Sequence, residues 1–122
     1  MPTALTTFER TLLSVIARLD TLILIDDDPN SDQLAAILEV CAWAHAEWIR
    51  IHPFANGNGR TARFWINSIA MRYNLPPFLR LRPRPDLGYA AAGAAAMLGN
   101  WQPTINVLRR CLEDFLRSPE LE

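Results

Sequence analysis

His52-Pro53-Phe54-Ala55-Asn56-Gly57-Asn58-Gly59-Arg60-Thr61-Ala62-Arg63 lies at the middle of the chain, and the rest of the sequence is arranged around the turn it makes. Upstream, Leu34, Leu38, Cys41, His45 and Trp48 recur at three- and four-residue spacing, the mark of one face of a helix. A short loop, His52 to Gly57, which holds a proline and a glycine, follows that pattern. Downstream, a third helix is predicted from about Asn58 to Tyr73, stopped by Asn74 and Pro76-Pro77. The stretch therefore predicts two helices joined by a tight loop.

The same period extends outward. Phe8, Leu12, Val15, Leu19 and Ile23 mark a first helix, and Asp26-Asp27-Asp28-Pro29-Asn30-Ser31 breaks it and supplies a cap for the second. Pro76 to Asp86 reads as an arginine- and proline-rich connection. The alanine-rich run from Leu87 to Leu98 reads as a closely packed helix with Gly99-Asn100 as its C-cap. Pro103 opens a last helix that ends near Arg117. No strand-like alternation, internal repeat or linker interrupts the series. The fold class expected is all-α, with residues 1–122 as a single domain.

Composition narrows the function classes. The chain has 122 residues, enough for one core, and is 50% hydrophobic and 20% charged, as in an ordinary globular protein. A net charge of -1 argues against a general nucleic-acid binder. The twelve basic residues are all arginine, so neither a lysine Schiff base nor a P-loop lysine is available. Cys41 and Cys111 are too far apart in sequence to read as a metal pair, and buried free thiols are expected. The most apolar stretch, Leu12 to Ile25, contains Arg18 and Asp20 and lacks a cleavage site. Neither a signal peptide nor a membrane span is read, and a cytoplasmic protein is expected.

The central stretch also carries the chemistry. A helix start exposes unpaired N–H groups and the positive end of the helix dipole, which suit phosphate, and glycine lets a ligand approach the backbone closely. Arg60 and Arg63 are three residues apart and Asn67 is four further on, so the three share a polar face beyond that anion site. Two guanidinium groups there can clamp more than one phosphate. His52, at the mouth of the loop, is the nearby side chain able to take a proton near neutral pH.

These residues resemble the signature of the Fic family, His-Pro-Phe-x-(Asp/Glu)-Gly-Asn-Gly-Arg-x-x-Arg. His52, Pro53, Phe54, Gly57, Asn58, Gly59, Arg60 and Arg63 match its fixed positions. At roughly one in twenty per position, such a match arises by chance with odds on the order of one in a hundred million. The resemblance extends to the central helix pair and, more loosely, over about residues 8 to 116. It implies that His52 is the general base and that Phe54 anchors the loop in the core. Gly57, Gly59 and both the backbone and side chain of Asn58 would hold phosphates, with Arg60 and Arg63 on the outer ones. It further implies AMP transfer from ATP to a Ser, Thr or Tyr hydroxyl of a target protein.

The chain departs from the family pattern in three places. The family's acidic residue, which holds Mg²⁺, is Asn56 here, so Mg²⁺ is expected but weakly held. Few residues precede the first helix, so the family's flap hairpin is expected to be absent, minimal or supplied by another chain. No full match to the inhibitory motif (Ser/Thr)-x-x-x-Glu-(Gly/Asn) is present; Ser118 and Glu122 share only its spacing, which leaves a separate antitoxin-like inhibitor open.

Other features carry blander expectations. His45 is one heptad before His52, about 10 Å along the helix, too far for one shared ion, and is expected to be a core or supporting histidine. Arg80, Arg82 and Arg84 are expected to be a solvated loop, ahead of the alternative of a nucleotide or target contact, and Trp43, Trp48, Trp65 and Trp101 core or partner-facing aromatics. Two alternatives to AMP transfer are a nucleotide-binding or interaction module with reduced turnover and another phosphate-containing transfer on the same scaffold. Gly59 argues against the Doc-like phosphotransferases, which carry lysine at that position.

Overall fold

The computed structural model describes residues 2–23, 27–86 and 88–117. Among the described residues there are five helices and no strand: α1 (Pro2–Leu22), α2 (Ser31–Ile51), α3 (Asn58–Arg72), α4 (Tyr89–Met97) and α5 (Gln102–Arg117). The all-α expectation is met. Residues 118–122, with Ser118 and Glu122, lie outside the described residues, as do Asp26 and Leu87. None of the helices is long and apolar enough to cross a membrane.

α2 is the axis of the structure, and α1, α3, α4 and α5 all pack on it. Its sequence explains why. Between Leu34 and Trp48 the charged residues are Glu39 and Glu47, and everything else is apolar apart from His45. A helix apolar on all sides must be surrounded. Ile37, Leu38, Val40, Cys41, Ala42, Ala44, Ala46 and Trp48 are accordingly buried, a wider set than the single face that the periodicity picks out. The helix starts at Asn30, whose side chain accepts from the Gln33 N–H at 2.8 Å while Gln33 answers the Asn30 N–H at 2.9 Å. That reciprocal cap satisfies two N–H groups that would otherwise go unpaired.

α3 runs back along α2, with Cys41 against the Ile66 carbonyl. Phe8 of α1 closes the near end, stacked on Trp43 at 5.4 Å and edge-on to Trp48 and Trp65. At the far end Asp20 of α1 accepts from the Tyr73 hydroxyl at 2.8 Å and from Arg72 Nε at 3.2 Å. These hydrogen bonds hold the Asp20 carboxyl below its usual range. The aromatic expectation is met on the core side for Trp43, Trp48, Trp65 and Trp101. Both cysteines are free; Cys41 is buried and Cys111 half-buried, and burial raises both thiol pKa values, Cys111 to about 11.

Candidate active site

The loop between α2 and α3 begins at His52, which caps α2 in the left-handed region at φ 55°, ψ 59° and donates its N–H to the Trp48 carbonyl at 2.9 Å. A helix C-cap of this kind is ordinarily glycine, since a Cβ there costs about 1–2 kcal/mol. A histidine held in a glycine conformation at a loop mouth is the kind of backbone cost found at functional sites. Its side chain is exposed.

The loop closes through Asn58. Its side-chain nitrogen donates to the Phe54 carbonyl at 2.6 Å, and its oxygen accepts from the Phe54 N–H at 3.0 Å. Two expectations change here. The Asn58 amide is buried and committed to bracing the loop, so its side chain is not free for a phosphate. The Phe54 ring does not enter the core: it is 51% exposed and leans edge-on against Trp48 at 6.0 Å. The backbone of Phe54, bonded through both its N–H and its carbonyl to Asn58, ties down the loop.

α3 starts with an open end. Its N-cap, Gly57, has φ 82°, a conformation glycine adopts without strain, and no side chain caps the helix. The N–H groups of Asn58, Gly59 and Arg60 thus form an uncapped turn at the positive end of the helix dipole. Gly59 serves a different need: a Cβ there would come within 3.2 Å of the Arg63 guanidinium. The glycine lets Arg63 fold back beneath the first turn.

In front of this turn is a pocket of about 490 Å³ lined by Gly57, Gly59, Arg60, Arg63 and Arg84 on its polar side. Its opposite wall is the small-residue face of α4 at Ala90, Gly93 and Ala94. The expected phosphate residues Gly57, Gly59, Arg60 and Arg63 are therefore brought together, while His52, Phe54 and Asn56 stand exposed on the loop outside the lining. Asn67 does not join them. It is buried and exchanges hydrogen bonds with the Leu79 backbone at 2.7 and 3.0 Å, pinning the connector to α3.

The pocket floor holds residues that the sequence reading did not place there. Arg63 is only 7% exposed and donates to the Tyr89 hydroxyl at 2.9 Å and to the Leu81 carbonyl at 2.8 Å. The Tyr89 hydroxyl is also 2.7 Å from His45 Nε2. The Tyr89 oxygen accepts from Arg63, and the direction of its second bond, to Nε2, is set by the His45 tautomer. Nδ1 of His45 and Nε of Arg63 are buried without a hydrogen-bond partner among the described residues. Burial, with the Arg63 charge adding to it, lowers the His45 pKa to about 4, and burial raises that of Tyr89. His45 is thus a core histidine, as expected, and its lowered pKa keeps it neutral near pH 7. Tyr89 gave no sequence signal, because nothing local links an alanine-rich helix to a residue 26 positions upstream. Arg84 is exposed, as expected of the solvated connector, but it also lines the pocket.

A loop-held Mg²⁺ would need hard, charged oxygen donors. Asn56 offers a neutral amide on an exposed side chain, and no group of three or more His, Cys, Asp or Glu among the described residues could hold a metal. The protein's own donors do not fit a divalent-cation site.

Sequence comparison agrees with the loop and the helix pair. The family model described as Fic/DOC family matches residues 8–70. The protein adenylyltransferase Fic of Nematostella vectensis is 37% identical over 91 residues, covering 74% of this chain and 20% of that protein. The protein adenylyltransferase fic-1 of Caenorhabditis elegans is 38% identical over 74 residues, covering 60% of this chain and 14% of its own length. The protein adenylyltransferase Fic of Drosophila erecta is 32% identical over 89 residues, 71% of this chain and 18% of that protein. The chain thus spans a fifth or less of these relatives' length. No solved structure matches it. With its diagnostic loop between α2 and α3 and more than half its length matched, the chain belongs to the Fic/DOC family.

Proposed function

We propose that this chain is a nucleotidyltransferase that moves AMP from ATP onto a Ser, Thr or Tyr hydroxyl of a target protein. The observation that carries the reading is the pocket at the uncapped start of α3, lined by Gly57, Gly59, Arg60 and Arg63 and, among the described residues, by no carboxylate. In this reading the outer phosphates lie on Arg60, Arg63 and the first-turn N–H groups. The incoming hydroxyl loses its proton to His52 and its oxygen bonds to the α-phosphorus. The bond from that phosphorus to the bridging oxygen breaks, and pyrophosphate leaves with the electron pair. Such a displacement asks the protein mainly for positioning and for neutralisation of charge. The names of the relatives, each a protein adenylyltransferase, support the same reaction class.

Asn56 favours a second reading, a nucleotide-binding module with little turnover, because the carboxylate that would hold an ion is missing. Incubation of the chain and candidate targets with ATP labelled at the α- or the γ-phosphate separates the readings. Protein label from α alone supports AMP transfer. Label from γ alone replaces it with phosphotransfer, and label from neither leaves binding.

A further inference from the structure

Among the described residues, the guanidinium groups of Arg60, Arg63 and Arg84 line the pocket and no Asp or Glu does. Arg63 is the member of the three that is committed to protein partners, Tyr89 and Leu81. Arg84 comes from outside the central loop, on the connector between α3 and α4, flanked by Pro83 and by Pro85, which is buried. The connector is fastened at several points. Arg80 donates from Nε to the Pro83 carbonyl at 2.9 Å and from its NH2 group to the Arg84 carbonyl at 3.5 Å. Asn67 holds Leu79, and Arg63 holds Leu81. Two prolines and these bonds limit the backbone at Arg84, so its side chain is presented at the rim. The Arg84 charge also reaches Tyr89 on the pocket floor, where it favours the ionised phenol against the larger effect of burial.

This pocket thus has cations in excess and no carboxylate with which to hold a metal. A nucleoside triphosphate carries several negative charges, which must be neutralised by ions or by the protein before it can be taken from water. We propose that Arg84 is a third phosphate-binding arginine, and that with Arg60 and Arg63 it neutralises a nucleoside triphosphate by guanidinium charge where this loop cannot hold a divalent cation. The proposal rests on the nucleotide reading given above and assigns to the connector a role that the central motif does not contain.

The test is calorimetric titration of ATP into the full chain, in excess EDTA and in excess Mg²⁺, for the wild type, Arg84→Gln and Arg82→Gln. Arg82 is on the same connector, exposed and outside the pocket lining, so its variant controls for general charge. The wild type is expected to bind metal-free ATP at least as tightly as the Mg²⁺ complex. Arg84→Gln should weaken metal-free ATP by about tenfold or more, the effect of losing one charge-assisted contact, with Arg82→Gln within about twofold of wild type. Equal affinity for wild type and Arg84→Gln overturns the proposal, as does an equal loss in Arg82→Gln or binding that needs Mg²⁺. In each of those cases ATP still binds the wild type, so the nucleotide reading stands. Failure of the wild type to bind ATP in either buffer removes both.

Discussion

At position 52 a conformation that glycine adopts freely is held by histidine at φ 55°, on the residue just before the loop that opens the pocket. Replacing the imidazole should spare nucleotide affinity, since His52 is outside the pocket lining. His52→Ala is expected to lower transfer by about 10²-fold or more with ATP affinity nearly unchanged, read by labelled-ATP transfer beside a binding titration. Transfer at the wild-type rate would remove His52 from the reaction. Asn56 offers the reciprocal experiment. Asn56→Asp adds a charged oxygen to an exposed side chain of nearly equal size, so the fold should be indifferent to it. The variant is expected to gain a Mg²⁺ stimulation of transfer that the wild type lacks, and to turn over faster in Mg²⁺. Superimposable Mg²⁺ curves and rates would show that the missing carboxylate is not what limits this chain. Both residue identities are plain in the sequence, whereas the left-handed backbone at His52 is not.

At the scale of elements, the α2–α3 loop is held by one side chain. Asn58 meets both the N–H and the carbonyl of Phe54, and it is buried. Asn58→Ala leaves those backbone groups without their partner, and the expected loss of stability is about 1–3 kcal/mol, measured by urea unfolding. A loss within experimental error would mean that Trp48, packed against the Phe54 ring, holds the loop instead. The motif is visible as a string of residues, but the division of labour within it is not. Spacing alone cannot show that the asparagine faces back into its own loop or that the phenylalanine ring faces out. α4 illustrates the same limit. Its alanines and glycine read as packing, which they are, yet the face they form is also a pocket wall and its first residue, Tyr89, is bonded to Arg63.

For the whole molecule, the buried His45–Tyr89–Arg63 chain ties stability to pH. The His45 pKa is lowered to about 4 from its ordinary value near 6.5, chiefly by burial. Above about pH 6.5 the imidazole is neutral in both folded and unfolded chains, and its full contribution to stability is present. Between about pH 6.5 and 4 the unfolded chain takes up a proton that the folded one refuses, so stability falls as pH falls. Below about pH 4 both forms are protonated and this slope ends. The total is on the order of 3 kcal/mol. Melting temperatures of wild type and His45→Asn across pH 4 to 7 should show the wild-type slope steeper through that window. Parallel curves would mean that His45 is not what loses stability on acidification.

The sequence by itself determined the five helices, because apolar spacing, caps and prolines act over a few residues and need no distant partner. It likewise determined the central loop, whose proline stop and glycine start are local events, and with it the family. Tertiary structure alone decided what surrounds that loop. α2 became the axis because four helices compete for a surface apolar on every side. Asn67 was drawn away from the phosphate face to pin Leu79, and Arg63 was drawn down onto Tyr89. Arg84 was brought to the pocket by a connector whose course is set by hydrogen bonds to residues far from it in sequence. Such contacts depend on where the chain returns in space, and the order of residues along it does not record them.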